Sequence, residues 1–174
     1  MAKVTIFGLA GTGTTTLGKL LAGQLGYQFV STGNIFRQQA KEHGLSLYEF
    51  ELLCNTDPVY DLAIDEQTKK LGQENDGFVL ESRLGWYFVP DSFKIKITCS
   101  DEVRLGRVAT RDQLSLSEAK NKTFKREVDA EKRYQEFYGL TELAPDSAFD
   151  LIIDSTHLTP EEICERIIFA LKIV

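Results

Sequence analysis

Lys3-Val4-Thr5-Ile6-Phe7 is a short, largely apolar run that ends at Gly8 and passes through Leu9-Ala10-Gly11-Thr12-Gly13 directly into a helical segment opening Thr14-Thr15-Thr16. Few local patterns restrict a fold more. A buried strand, a glycine-rich turn and a helix in immediate succession aim the N–H groups of the loop and of the first helical turn at one point, which suits a polyphosphate. The spacing is that of the phosphate-binding loop GxxxxGK[ST], with one departure: Thr14 stands where the lysine belongs. Gly8, Gly11, Thr12, Gly13, Thr14, Thr15 and Thr16 form the expected phosphate-binding set, and Thr15 supplies the hydroxyl that such loops offer to magnesium. What is missing is the point charge that reaches the β- and γ-phosphates.

An ordinary glycine turn would use the same residue types, but it does not require strand, spacing and helix to coincide. A dinucleotide fingerprint can be written from Gly11-Thr12-Gly13 with Thr16 at its third glycine position. That fingerprint expects an acid about 20 residues on, and Ser31 and Thr32 occupy the place. Lys19 does not replace the lost lysine. It lies more than a helical turn beyond Thr14, and a helix rising about 1.5 Å per residue carries its ammonium away from the loop.

The remaining strands are expected at Tyr27–Val30, Phe78–Leu80, Phe93–Ile97 and Leu151–Ile153, after a first at Val4–Phe7. Helical periodicity fills the gaps, so the pattern predicts a parallel sheet covered by helices on both faces. Leu17, Leu20, Leu21 and Leu25 share a face of the first helix, which Gly26 ends; Ile163, Ile167, Ile168 and Leu171 do the same after Thr159-Pro160-Glu161-Glu162. Two connections are too long for simple crossovers: Asn34 to about Leu71, and Arg104 to Gly139. Both leave carboxyl ends of strands, where open α/β sheets bind ligands.

The chain has 174 residues and a net charge of -6, with nine Lys/Arg against five Asp/Glu concentrated between Arg104 and Arg133. The acidic balance argues against a nucleic-acid binder, while the basic stretch suits a compact anion. Cys54, Cys99 and Cys164 lack metal-ligand spacing and suit a reducing, cytoplasmic setting. No apolar run approaches the ~20 residues that cross a bilayer, so no membrane partner is expected.

Arginines fall where phosphate is expected. Arg37 follows the second strand and Arg83 the third, each able to clamp a phosphate with a guanidinium fork. Glu81 sits at a strand end where phosphoryl-transfer folds keep an acid for magnesium. Trp86 can stack on a base or close the core edge. Arg104, Arg107 and Arg111 recur at helical spacing, with Arg126 and Arg133 on a second helix; such a lid disperses positive charge around a migrating phosphoryl group.

These residues, together with Asp57-Pro58, Asp61, Asp65-Glu66-Gln67, Leu80-Glu81 with Arg83-Leu84, Lys132-Arg133-Tyr134 and Asp150-Leu151-Ile152-Ile153, give the chain a resemblance to the cytidylate kinases, particularly their short archaeal-type branch, within the nucleoside monophosphate kinases. The resemblance spans nearly the whole length. It implies a P-loop kinase fold with a five-stranded parallel sheet: one domain over 1–174, with a core of 1–32, 77–103 and 140–174, a monophosphate-binding flap at about 33–76 and a lid at about 104–139. It also implies transfer of the ATP γ-phosphoryl to CMP or dCMP with Mg2+; separately, a monomer is expected. Arg37 and Arg83 would hold the acceptor phosphate, and Asp57, Asp61 and Trp86 fall in the base-reading region. The arginines from Arg104 to Arg133 would serve the lid and the donor phosphates, Arg107, Arg111, Arg126 and Arg133 acting with Thr14 at the transfer itself. Thr15 and Glu81 would serve the metal. Losing the lysine at Thr14 removes ~3 kcal/mol or more of transition-state stabilisation. Two other outcomes fit the same loop: a nucleotide sensor without turnover, and a related kinase acting on another small acceptor.

Overall fold

The computed structural model describes residues 2–172. Strands β1 (Lys3–Gly8), β2 (Gln28–Ser31), β3 (Phe78–Glu81), β4 (Phe93–Thr98) and β5 (Leu151–Asp154) form one parallel sheet in the order β2-β3-β1-β4-β5. Each lies within a residue of the apolar run that announces it. From β1 the chain first crosses to β2 and returns through β3, then passes to the other side of β1 for β4 and β5. That reversal opens a crevice at the carboxyl end of β1, the place where such sheets bind ligands.

Helices α1 (Thr14–Leu25) and α8 (Pro160–Leu171) pack together on one face of the sheet. Val4 and Ile6 point toward Leu17, Leu21, Ile163 and Ile167, all buried in the main core; each such side chain contributes roughly 1.5–3 kcal/mol of transfer free energy. The alternate positions of β3, Phe78 and Leu80, pack with Val89 in a second cluster. Thr5, also buried, shares a 2.9 Å hydrogen bond with the Ser92 hydroxyl.

Between β2 and β3 the chain folds into three helices, α2 (Thr32–Glu42), α3 (Leu47–Thr56) and α4 (Val59–Glu74). They close a small core of their own, in which Ala40, Phe50 and Cys54 are buried and Phe36 meets Phe50 edge-on at 4.9 Å. A short helix α5 (Gly85–Phe88) follows β3. Two helices, α6 (Asp101–Asp112) and α7 (Leu116–Tyr138), fill the gap between β4 and β5. Gln113 turns between them with φ 55°, and Ser115 and Glu118 cap α7 reciprocally.

Arg104 corrects the view of α6 as a row of equivalent arginines. It is 3% exposed, with both outer nitrogens on the Glu127 carboxylate at 2.7 and 3.1 Å and its Nε on Asp101 at 2.7 Å. Its charge is consumed in joining α6 to α7. Loss of one partner would strand a buried charge, typically at a cost of about 3–5 kcal/mol. No helix among the described residues is long and apolar enough to cross a membrane.

Candidate active site

The loop from Gly8 to Gly13 turns under the mouth of the crevice. Gly11 has φ 86°, and a Cβ there would stand 2.1 Å from the Arg104 carbonyl oxygen, so both its backbone and its surroundings require glycine. The Thr12 hydroxyl donates to the Leu9 carbonyl at 2.8 Å, and the Ser155 hydroxyl lies within 3.0 Å of the carbonyl oxygens of both Thr12 and Thr98. The loop is thereby braced from inside the turn and from the end of β5.

Glu81, at the carboxyl end of β3, gathers three hydroxyls. Thr14 and Thr15 both donate to its Oε1, at 2.6 and 2.7 Å, and Ser31 donates to Oε2 at 2.6 Å. Ser31 in turn accepts the Asn34 N–H at 3.2 Å and so caps α2. One carboxylate thus ties together the start of α1, the start of α2 and the end of β3. The set of a carboxylate and neighbouring hydroxyls is made of hard oxygen donors, the chemistry that suits Mg2+.

A cavity of about 730 Å³ extends from this point. Gly8, Gly11, Gly13, Thr14, Thr15, Thr16 and Glu81 line one end; Arg37, Arg83, Arg107, Arg111, Arg126 and Arg133 line its walls; Asp61, Asp65 and Tyr134 lie among the remaining lining residues. Most of these arginines are held. Arg111 is paired twice to Asp112 at 2.8 and 2.9 Å, Arg126 to Glu51 at 2.5 Å, and Arg133 to Asp61 at 2.5 Å and to Asn55. Arg107 donates to the carbonyls of Gly11 and Ser155 at 3.3 and 3.4 Å.

Arg37 donates to Asn34 at 2.6 Å, and among the described residues neither it nor Arg83 has a carboxylate partner. Burial pulls the Arg37 guanidinium below the usual arginine value; Glu81 opposes the fall, and the charges of Arg111 and Arg126 add to it. Cations crowded into a partly desolvated cavity favour a multiply charged anion.

Several expected residues lie elsewhere. Asp57 is exposed and accepts the Val59 N–H at 3.1 Å, so it opens α4 outside the cavity. Trp86 donates to the Arg83 carbonyl at 3.1 Å and packs beside Tyr87 and Phe149, closing the core edge outside the cavity lining. Thr12 faces a smaller cleft of about 240 Å³ with Gly13, Leu17, Arg107, Ser155, Leu158 and Pro160. The sequence signal misses Glu51 and Asp112, and it marks Tyr134 only as part of Lys132-Arg133-Tyr134, with no place in the site. Glu51 and Asn55 are one turn apart on α3, a spacing that could have marked a shared polar face.

Burial pushes the Asp65 carboxyl up to about 6 even though the Tyr138 hydroxyl donates to it at 2.6 Å, which acts in the opposite direction. The folded protein therefore holds this proton more tightly than the unfolded chain. The resulting stability is fully present below about pH 4 and is lost as pH rises through about 6. Asp65→Asn is expected to remove that loss. Urea unfolding should show the variant gaining on the native protein by ~2–3 kcal/mol between pH 4 and 8; a pH-independent difference would contradict it.

A family model described as the cytidylate kinase-like family matches residues 3–157. The cytidylate kinase of Methanocorpusculum labreanum is 38% identical over 162 residues, covering 92% of this chain and 91% of its own. That of Pyrococcus abyssi is 40% identical over 159 residues, covering 91% and 87%. In solved structures the fold is shared with the shikimate kinases of Aquifex aeolicus (TM-score 0.61, 20% identity, 98% and 96% covered) and Bacteroides thetaiotaomicron (TM-score 0.66, 13% identity, 98% of each).

Proposed function

Because this chain belongs to the cytidylate kinase-like family of nucleoside monophosphate kinases, we propose that it transfers the γ-phosphoryl group of ATP to CMP or dCMP. The observation that carries the proposal is the single cavity joining the phosphate loop and Glu81 to Arg37 and Arg83. Phosphoryl transfer rests on positioning two anions in line and stabilising dispersed charge, and a loop facing arginines that have no carboxylate partner among the described residues supports both requirements.

The loop amides and the start of α1 hold the donor polyphosphate, and Arg37 and Arg83 hold the acceptor phosphate. An oxygen of that phosphate attacks the γ-phosphorus while the bond to the bridging oxygen breaks, ADP departing with the electron pair. Thr15 and Glu81 would hold Mg2+, which neutralises phosphate charge when bound. Arg107 borders the small cleft beside the loop, whose apolar wall of Leu17, Leu158 and Pro160 suits the donor base. Arg111, Arg126 and Arg133 exchange their carboxylate partners for phosphate oxygens as the lid, about 104–139, and the flap, about 33–76, close. Asp61, Asp65 and Tyr134 offer a polar wall to the pyrimidine. The protein works as a monomer in the cytoplasm, a setting that its three free cysteines suit.

ADP formation from ATP should depend on added CMP or dCMP. Turnover no greater than that of a Thr15→Ala/Arg83→Ala double variant, with every monophosphate tried, would overturn the reading. The loop without its lysine favours one alternative, a nucleotide sensor, which would bind ATP and CMP saturably in calorimetry without transfer.

A further inference from the structure

We propose that Thr14 is a positioning residue for the divalent cation that accompanies the donor, its hydroxyl fixing the Glu81 carboxylate in place. The inference rests on the kinase reading. It goes further by giving a function to the residue that stands where the motif has its lysine.

The geometry constrains Thr14 on two sides. Its hydroxyl donates to Glu81 Oε1 at 2.6 Å, and its methyl carbon lies so near Gly8 that a Cβ on that glycine would come within 2.5 Å of it. The residue is 7% exposed. A β-branched side chain is stiff at χ1, and the packing of the methyl beside Gly8 supports the rotamer that makes the donated bond. Thr15 places a second hydroxyl on the same carboxylate oxygen. A hydroxyl that gives its one proton to a carboxylate keeps its lone pairs free as acceptors, for a hard cation or for the protons of its water.

The two hydroxyls therefore hold one carboxylate oxygen of Glu81 and Ser31 holds the other, which fixes the plane of the acid. The loop has a hydroxyl in place of the ammonium, and the hydroxyl acts through Glu81. Partners that orient a metal-binding group commonly account for about 10–100-fold in metal affinity.

Calorimetric titration with ADP, with Mg2+ and again with a chelator, separates this function from simple packing. Thr14→Val keeps the shape and the methyl contact and removes the hydroxyl. It is expected to weaken binding in Mg2+ by about 10-fold while changing metal-free ADP affinity by less than about 2-fold. Thr14→Ser should recover most of the metal-dependent affinity. Should the valine variant fail to fold, the contrast between Thr14→Ala and Thr14→Ser gives the same reading. Equal weakening with and without Mg2+, or no weakening at all, would overturn the proposal. The outcome is independent of catalysis, because a native protein that transfers nothing would refute the kinase reading and leave this contrast measurable.

Discussion

Arg83→Met is expected to lower kcat/KM for the acceptor monophosphate by about 10²–10³-fold, with ADP affinity in Mg2+ changed by no more than about threefold. Arg83 lines the cavity and, among the described residues, has no carboxylate within 4 Å, although its charge is felt by Asp61. Its partner is therefore expected to come from solution, as the phosphate of the acceptor. Truncating one side of a desolvated, charge-assisted contact typically costs about 2–5 kcal/mol, a range whose middle corresponds to the stated loss in rate. Methionine keeps much of the aliphatic volume, so packing around the end of β3 should persist. Steady-state kinetics with CMP and dCMP, beside ADP calorimetry, gives the split. Equal losses for donor and acceptor would mean that Arg83 supports the loop rather than the acceptor phosphate.

Thr14→Lys should raise kcat at saturating Mg2+ by about 10²–10³-fold and, in the same variant, raise the Mg2+ concentration needed for half-maximal rate. The lysine would restore an ammonium near the transferring group, a gain of ~3 kcal/mol by comparison with other transition-state donors. It would also remove the Thr14 hydroxyl from Glu81, and the two effects oppose each other in one variant. A Mg2+ titration of the initial rate separates them. An unchanged or lower kcat at saturation would show that arginines already supply the missing charge.

Arg104 and Arg107 show how far sequence spacing reaches into this site. Both fit the same helical row, yet Arg104 is sealed against Glu127 while Arg107 opens onto the loop and both cavities. The difference comes from a carboxylate 23 positions along the chain on another helix. Asp57 and Trp86 teach the same lesson from the other direction. Each lies in the right segment, but the start of α4 turns one outward and the ring packing beside α5 holds the other at the core edge.

The sequence by itself determined the strand, glycine loop and helix at the start of the chain, the five strands and the segments carrying the arginines. Those features are local: a glycine where φ must be positive, apolar residues at period 2 or 3.6, a cap beside a helix start. Only the tertiary structure decided which arginines find a carboxylate among the described residues, and that the Thr14 hydroxyl meets Glu81, 67 residues away. Charge pairing and hydroxyl orientation depend on distances between elements, and those distances exist only once the sheet order has set them.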